Sequence, residues 1–268
     1  MTLTQVVEEY VTVKRATGLR FRNGAMILQT FTRVTGAIEV NDVTQDTVRA
    51  FLKRSGPITS GWHQKHYTLA GLFRFAMQRG LMSTSPVAYR LPKRPAYATP
   101  YIYSEEELRR MLDATSALDL PHPKNGQPAT IPALTFRTLI LLLYGAGLRL
   151  GEALALTLDD VDLHTHMLLV RNTKFFKTRL VPIGPRLSSA LDLYADKRLA
   201  VIRRPPTRNA FLLRRDGIPI SLYTAERYFR ILRSRISIRR SDRAYFQPRL
   251  HDLRQHAGFR IMPGCHVA

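Results

Sequence analysis

The stretch Tyr144-Gly-Ala-Gly-Leu-Arg-Leu-Gly-Glu-Ala-Leu-Ala-Leu156 decides how this chain is read. Upstream of it, Thr135 to Tyr144 is strongly apolar, the pattern of a helix central to the core. That helix stops at the glycines, and a new one begins near Arg149. Gly145-Ala146-Gly147 does not complete a G-x-G-x-x-G phosphate loop. Position 150 is leucine, and the segment follows a helix rather than a strand. Arg149 is the informative residue. A guanidinium in an apolar stretch is costly when unpaired, so it either faces an anion across a cleft or pairs with a carboxylate such as Glu152.

Two more segments downstream carry chemistry. Leu168 to Arg171 and Arg179 to Ile183 read as short strands around a hairpin loop, within the run TKFFKTRLVPI (173–183). Lys174 and Lys177 sit in its tip, where an ammonium can reach a phosphate; lysine is also common in exposed hairpins for solubility alone. Arg249-Leu-His-Asp-Leu-Arg254 places His251 and Arg254 three apart, on one helical face. An arginine that grips two oxygens beside a histidine that moves a proton suits a phosphate. A buried histidine beside a surface arginine is the purely structural alternative.

The composition points the same way. The 268 residues hold 41 Lys+Arg against 20 Asp+Glu, a net charge of +21. This excludes an acidic tail and a secreted disulfide scaffold, and it favours a polyanionic partner, nucleic acid above a merely basic protein. Residues 203–260 alone hold 15 Arg and 4 acidic residues. Cys265 is the single cysteine, so no internal disulfide forms. No C-x-x-C, H-E-x-x-H or EF-hand spacing occurs, so no metal site is expected. The longest apolar run, Leu139 to Leu148, is half of what a membrane span needs, and the start MTLTQVVEEY lacks a signal-peptide pattern. A cytoplasmic protein without membrane contact is expected.

The chain divides at STSPVAYRLPKRPAYATP (83–100), whose four prolines forbid a helix. Residues 1–82 before it read as an all-α unit. Thr2 and Gln5 have capping-box spacing; Leu3, Val6, Tyr10 and Val13 follow on one face. Ile27, Phe31 and Val34 mark a second helix. Val43 and Val48 staple a third around Thr44. Leu69, Leu72, Phe73 and Ala76 form a fourth stripe, closed by Gly80. Residues 101–268 form the second domain, opened by a Ser104 and Glu107 capping box. Ser188 to Val201 reads as a helix and Phe211 to Leu213 as a short strand; Leu222, Ala225, Phe229, Leu232 and Ile236 recur at helical spacing. The expected class is α+β, mainly helical with a small β-hairpin or sheet.

The order GLRLGEALALTLDDVDL, then TKFFKTRLVPI, then HDLR resembles the tyrosine recombinase, or phage integrase, family, and the likeness runs from about residue 3 to 254. It implies an all-α core-binding domain followed by a catalytic domain. The implied reaction is DNA cleavage and rejoining through a 3′-phosphotyrosyl link, without metal or high-energy cofactor. Arg149 and Arg254 match the arginines that stabilise the pentacoordinate phosphate. Lys174 matches the lysine that protonates the leaving 5′-oxygen, and His251 the residue that assists proton transfer. Glu152 matches the acidic position beside the first arginine. The implied partners are double-stranded DNA and full-length recombinase protomers. Lys65, Arg74 and Arg79 on helix 59–80, Arg227 and Arg230 on helix 221–236, and Lys177 are the expected DNA contacts. One departure stands out. All eleven tyrosines lie at or before Tyr245, whereas the family's nucleophile follows the second arginine. The expectation is a catalytic domain without its C-terminal helices, and a defective or frame-altered recombinase.

Overall fold

A computed structural model describes residues 1–54, 56, 58–88, 91–93, 99–120, 126, 128–171, 177–242 and 246–255. The chain forms two compact units, Met1–Tyr97 and Ala98–Ala268. The first is helical: α1 (Leu3–Ala16), α2 (Arg22–Thr35), α3 (Gln45–Lys53) and α4 (Ser60–Gln78). Its helix starts follow from local chemistry. Thr2 Oγ1 accepts from the Gln5 N–H at 3.3 Å, and Gln5 Oε1 accepts from the Thr2 N–H at 3.0 Å, the reciprocal bonds of a capping box. Thr44 Oγ1 caps α3 through the Thr47 N–H at 3.2 Å, with Val43 and Val48 buried on either side. Leu69, Leu72, Phe73 and Ala76 of α4 are fully buried. Phe31 meets Phe51 and Phe73 edge to face, with centroids 5.0 and 6.2 Å apart. Val34, expected on the inner stripe of α2, is 40 % exposed because it falls in the helix's last turn, just before Gly36.

The same helix α4 buries two imidazoles, His63 and His66. The His66 Nε2 lies 3.1 Å from the Ala88 carbonyl, which fixes that nitrogen as the donor, and its ring stacks on Trp62. Burial lowers the His66 pKa; the bond to Ala88 opposes the shift and His63 adds to it. A histidine held neutral in the fold but protonated when unfolded contributes stability above its ordinary pKa of about 6.5, and that contribution is lost as pH falls toward the folded value. Unit 1 is therefore expected to melt at a lower temperature at pH 5.5 than at pH 7.5, and His66→Gln is expected to flatten that dependence. Calorimetry of both proteins across this range checks it; equal slopes would sink it.

The second unit packs α5 (Glu105–Ala114), α6 (Ala133–Gly145), α7 (Leu150–Ala155), α8 (Pro185–Lys197) and α9 (Leu222–Arg235) with a three-stranded antiparallel sheet. The strands are β1 (Val161–Asp162), β2 (Met167–Val170) and β3 (Arg179–Pro182), in the order β1-β2-β3. The class is thus mainly helical with a small sheet, as expected. Four details differ. β1 has only two residues, too few to carry an alternation. β2 and β3 each lie one residue off the expected span. α8 begins at Pro185 rather than Ser188, because proline suits the first helical position, and it ends at Lys197 rather than Val201. Phe211 to Leu213 forms only isolated bridges, with Ala210 facing Thr157 and Leu213 facing Pro219.

The apolar helix α6 is the centre of this unit: Phe136, Leu139, Ile140 and Leu142 are fully buried. Burying each such side chain stabilises by about 1.5–3 kcal/mol. Two features then place the functional groups at its C-terminal end. Gly147 turns the chain with φ +62°, a conformation that favours glycine. The 3-10 helix Leu250–Arg254 packs against α6, with Leu250 and Leu253 buried. Among the described residues no helix is long and apolar enough to cross a membrane.

Candidate phosphate-binding site

Arg149 is the N-cap of α7, and Glu152 is its third residue. The Arg149 backbone N–H donates to Glu152 Oε2 at 2.9 Å, and its guanidinium donates to Oε1 at 2.7 Å. Of the two arrangements the sequence allowed, the carboxylate pairing is present. The guanidinium is not consumed by it, because the Arg149 side chain is 46 % exposed while that of Glu152 is 8 % exposed.

A second arginine shares the same carboxylate. Arg179, the first residue of β3, donates through Nη1 to Oε1 at 3.1 Å and through Nη2 to Oε2 at 2.8 Å. Burial opposes ionisation of Glu152. The bonds from Arg179 and Arg149 outweigh it and hold the carboxyl at about 2, well below its ordinary value. Arg179 is correspondingly raised, chiefly by its bond to Glu152. Arg254 completes the cluster. Its Nε donates to the Gly147 carbonyl at 2.8 Å, across 107 residues of chain. Burial, then repulsion from Arg149, lowers its pKa, and it remains a cation.

Three guanidiniums thus surround one buried carboxylate at the end of α6. The site keeps an excess of positive charge, with planar donors fixed in direction. Such an arrangement suits a phosphate, whose oxygens match the guanidinium fork.

The expected residues distribute as follows. Arg149, Glu152 and Arg254 come together. His251 lies in the same 3-10 turn as Arg254 and is exposed, while Asp252 between them is buried and holds Arg249 at 2.9 Å. Lys174 lies outside the described residues. Lys177 is exposed just before β3. On α4, Arg74 is exposed and Lys65 lies over the Phe51 ring at 5.6 Å; Arg79, the C-cap that follows it, pairs with Glu9 at 3.1 Å. Arg227 and Arg230 are exposed on one face of α9, where they line a shallow concavity of about 590 Å³ with Ile231, Ser234 and Arg235. Arg179 is the residue that sequence reasoning missed. Its one available signal was a cation opening a strand in the run after a lone apolar-flanked glutamate.

Comparison with known proteins gives the family and the fold. The sequence profile of the Phage integrase family matches residues 103–263. The protein y4rB of Sinorhizobium fredii (strain NBRC 101917 / NGR234), which carries a provisional integrase/recombinase name, is 30 % identical over 254 residues, covering 94 % of this chain and 79 % of that one. The tyrosine recombinase XerC of Alcanivorax borkumensis is 31 % identical over 176 residues, 65 % of this chain and 53 % of the relative. Among solved structures, a lambda integrase dimer bound to a COC′ core site superposes with a TM-score of 0.68 at 19 % identity, covering 97 % of this chain and 89 % of that chain, a likeness of fold. A profile match over more than half the chain, together with the order of its three motifs, places this protein in the phage integrase family of tyrosine recombinases.

Proposed function

We propose that this chain binds double-stranded DNA and holds one backbone phosphate against Arg149 and Arg254, as a member of a family that recombines DNA by cleaving and rejoining strands. The observation that carries the reading is the cluster around Glu152. Two guanidiniums are oriented by one buried carboxylate, and a third by the Gly147 carbonyl. Donors fixed beforehand stabilise the extra negative charge of a pentacoordinate phosphate without reorganising as it develops. His251, exposed beside Arg254, is the group in reach to move a proton, with the hairpin lysine Lys174 as the acid for the leaving 5′-oxygen. Residues 1–82 act as a helical DNA-binding domain, 83–100 as a linker and 101–268 as the catalytic domain. Lys65, Arg74, Arg79, Lys177, Arg227 and Arg230 contact the backbone. Full-length recombinase protomers on the same DNA are the fitting protein partner.

The 268 residues include no tyrosine beyond Tyr245. By themselves they bind and polarise the phosphate without attacking it. A nicked duplex substrate tests both halves of the proposal. The expected result is a retained noncovalent complex that dissociates in detergent. A detergent-resistant protein–DNA adduct would show a nucleophile within these residues and overturn the second half. Equal affinity for structured RNA would overturn the first.

A further inference from the structure

The strand pair β2–β3 is fastened at the end where the chain connects the two strands by two ion pairs to the segment that carries Arg149. The register sets Val170 opposite Arg179. One residue past Val170, Arg171 Nε donates to Asp160 Oδ1 at 2.5 Å. Asp160 is buried, and its other oxygen accepts from the Thr157 N–H at 3.0 Å and the Thr157 hydroxyl at 2.8 Å. On the facing strand Arg179 makes its two-pronged bond to Glu152. Both carboxylates belong to residues 149–162, directly after the glycine turn. Glu152 therefore has two tasks: it receives Arg149 from α7 and Arg179 from the sheet, and each guanidinium limits where the other can go.

We propose that Arg179 is a positioning residue. Its fork docks β3 on Glu152 and so fixes the carboxylate that aims Arg149. Removing Arg179 frees Glu152 to rotate toward Arg149 alone, and the Arg149 guanidinium turns away from the phosphate position. Arg171 and Asp160 hold the other strand, so the loss is local rather than a collapse of the sheet. The inference deepens the phosphate-binding reading and rests on it only for the DNA half of its test.

The test compares Arg179→Met, Arg179→Lys, Arg149→Ala and the double variant Arg179→Met/Arg149→Ala, all assayed well below their melting temperatures. Arg179→Met is expected to weaken binding to a duplex of mixed sequence about tenfold, but less than about twofold when Arg149 is already alanine. Groups acting through one another are non-additive in this way. Arg179→Lys keeps a cation on Glu152 and is expected to recover most of the affinity. Equal losses in both backgrounds would mean that Arg179 touches DNA independently, and would overturn the proposal. The free protein gives a second readout. Amide exchange over residues 149–153 and 167–170 is expected to quicken about tenfold in Arg179→Met and to stay near wild type in Arg179→Lys. Unchanged exchange would overturn the docking. Quickened exchange in a protein that binds no duplex DNA would leave the positioning role standing and remove the DNA reading instead.

Discussion

Affinity of this chain for duplex DNA is expected to fall about a thousandfold between 50 and 200 mM salt. Counterion release sets this dependence: a protein that neutralises about six phosphates shows a log–log slope near −5, and a fourfold rise in salt then costs about three decades. The sequence supplies the charge, with net +21 over the chain. The structure shows which cations remain available. Arg227 and Arg230 are exposed on α9 and Arg74 on α4. By contrast, Arg198 is buried with its guanidinium on the Ala210 and Phe211 carbonyls, and Arg233 donates to the Pro248 carbonyl. Formal charge therefore overstates the number of phosphate contacts, which falls well below the count of basic residues. Replacing Arg227 and Arg230 together by alanine is expected to make the slope shallower by about 2, one phosphate each. Titrations at four salt concentrations check both numbers. A slope near zero in the parent protein would remove phosphate neutralisation as the basis of binding.

How much of this was legible in the sequence depended on distance along the chain. Thr2 with Gln5 and Ser104 with Glu107 were readable because a capping box is closed within four residues. The burial of α6 was readable because Leu139 to Tyr144 is an unbroken apolar run. The closure between Arg254 and Gly147 spans 107 residues. No periodicity predicts such a contact, and only the order of three motifs brought both arginines to one site. Arg179 lies within the run TKFFKTRLVPI, yet nothing local marks it. A cation at a strand's edge faces either side of the sheet with equal ease, and its target is 27 residues away. Asp160 escaped for a related reason. In Thr157-Leu-Asp-Asp160 the capping geometry closes a 3-10 turn instead of an α-helix, and its outer partner Arg171 lies just past the end of β2. Local hydrogen-bond chemistry was visible in the sequence; long-range sharing of a carboxylate was not.

That shared carboxylate sets the largest expected effect on stability. Glu152→Gln removes the charge while keeping the shape, and it leaves Arg149 and Arg179 facing a neutral amide that can accept through only one oxygen. A carboxyl held at about 2 instead of its ordinary 4.5 corresponds to about 3 kcal/mol of stability at neutral pH. Arg149 and Arg179 keep 46 % and 37 % of their side-chain surface in water, so solvent screens part of that. A loss of about 2 kcal/mol is expected, seen as a melting temperature of the second unit lower by roughly 4–8 °C. The pH dependence separates this cause from simple loss of packing. The folded pKa lies below the unfolded one, so the contribution is fully present above about pH 4.5 and is lost as pH falls toward 2. Parent and variant should accordingly differ by a constant amount from pH 7 to 5 and converge under acid. Chemical denaturation at pH 7, 5, 4 and 3 measures the gap directly. A gap that persists unchanged at pH 3 would mean that the ionisation of Glu152 is not what stabilises the unit, and the two arginines would then owe their direction to the backbone of α7 and β3 rather than to its charge.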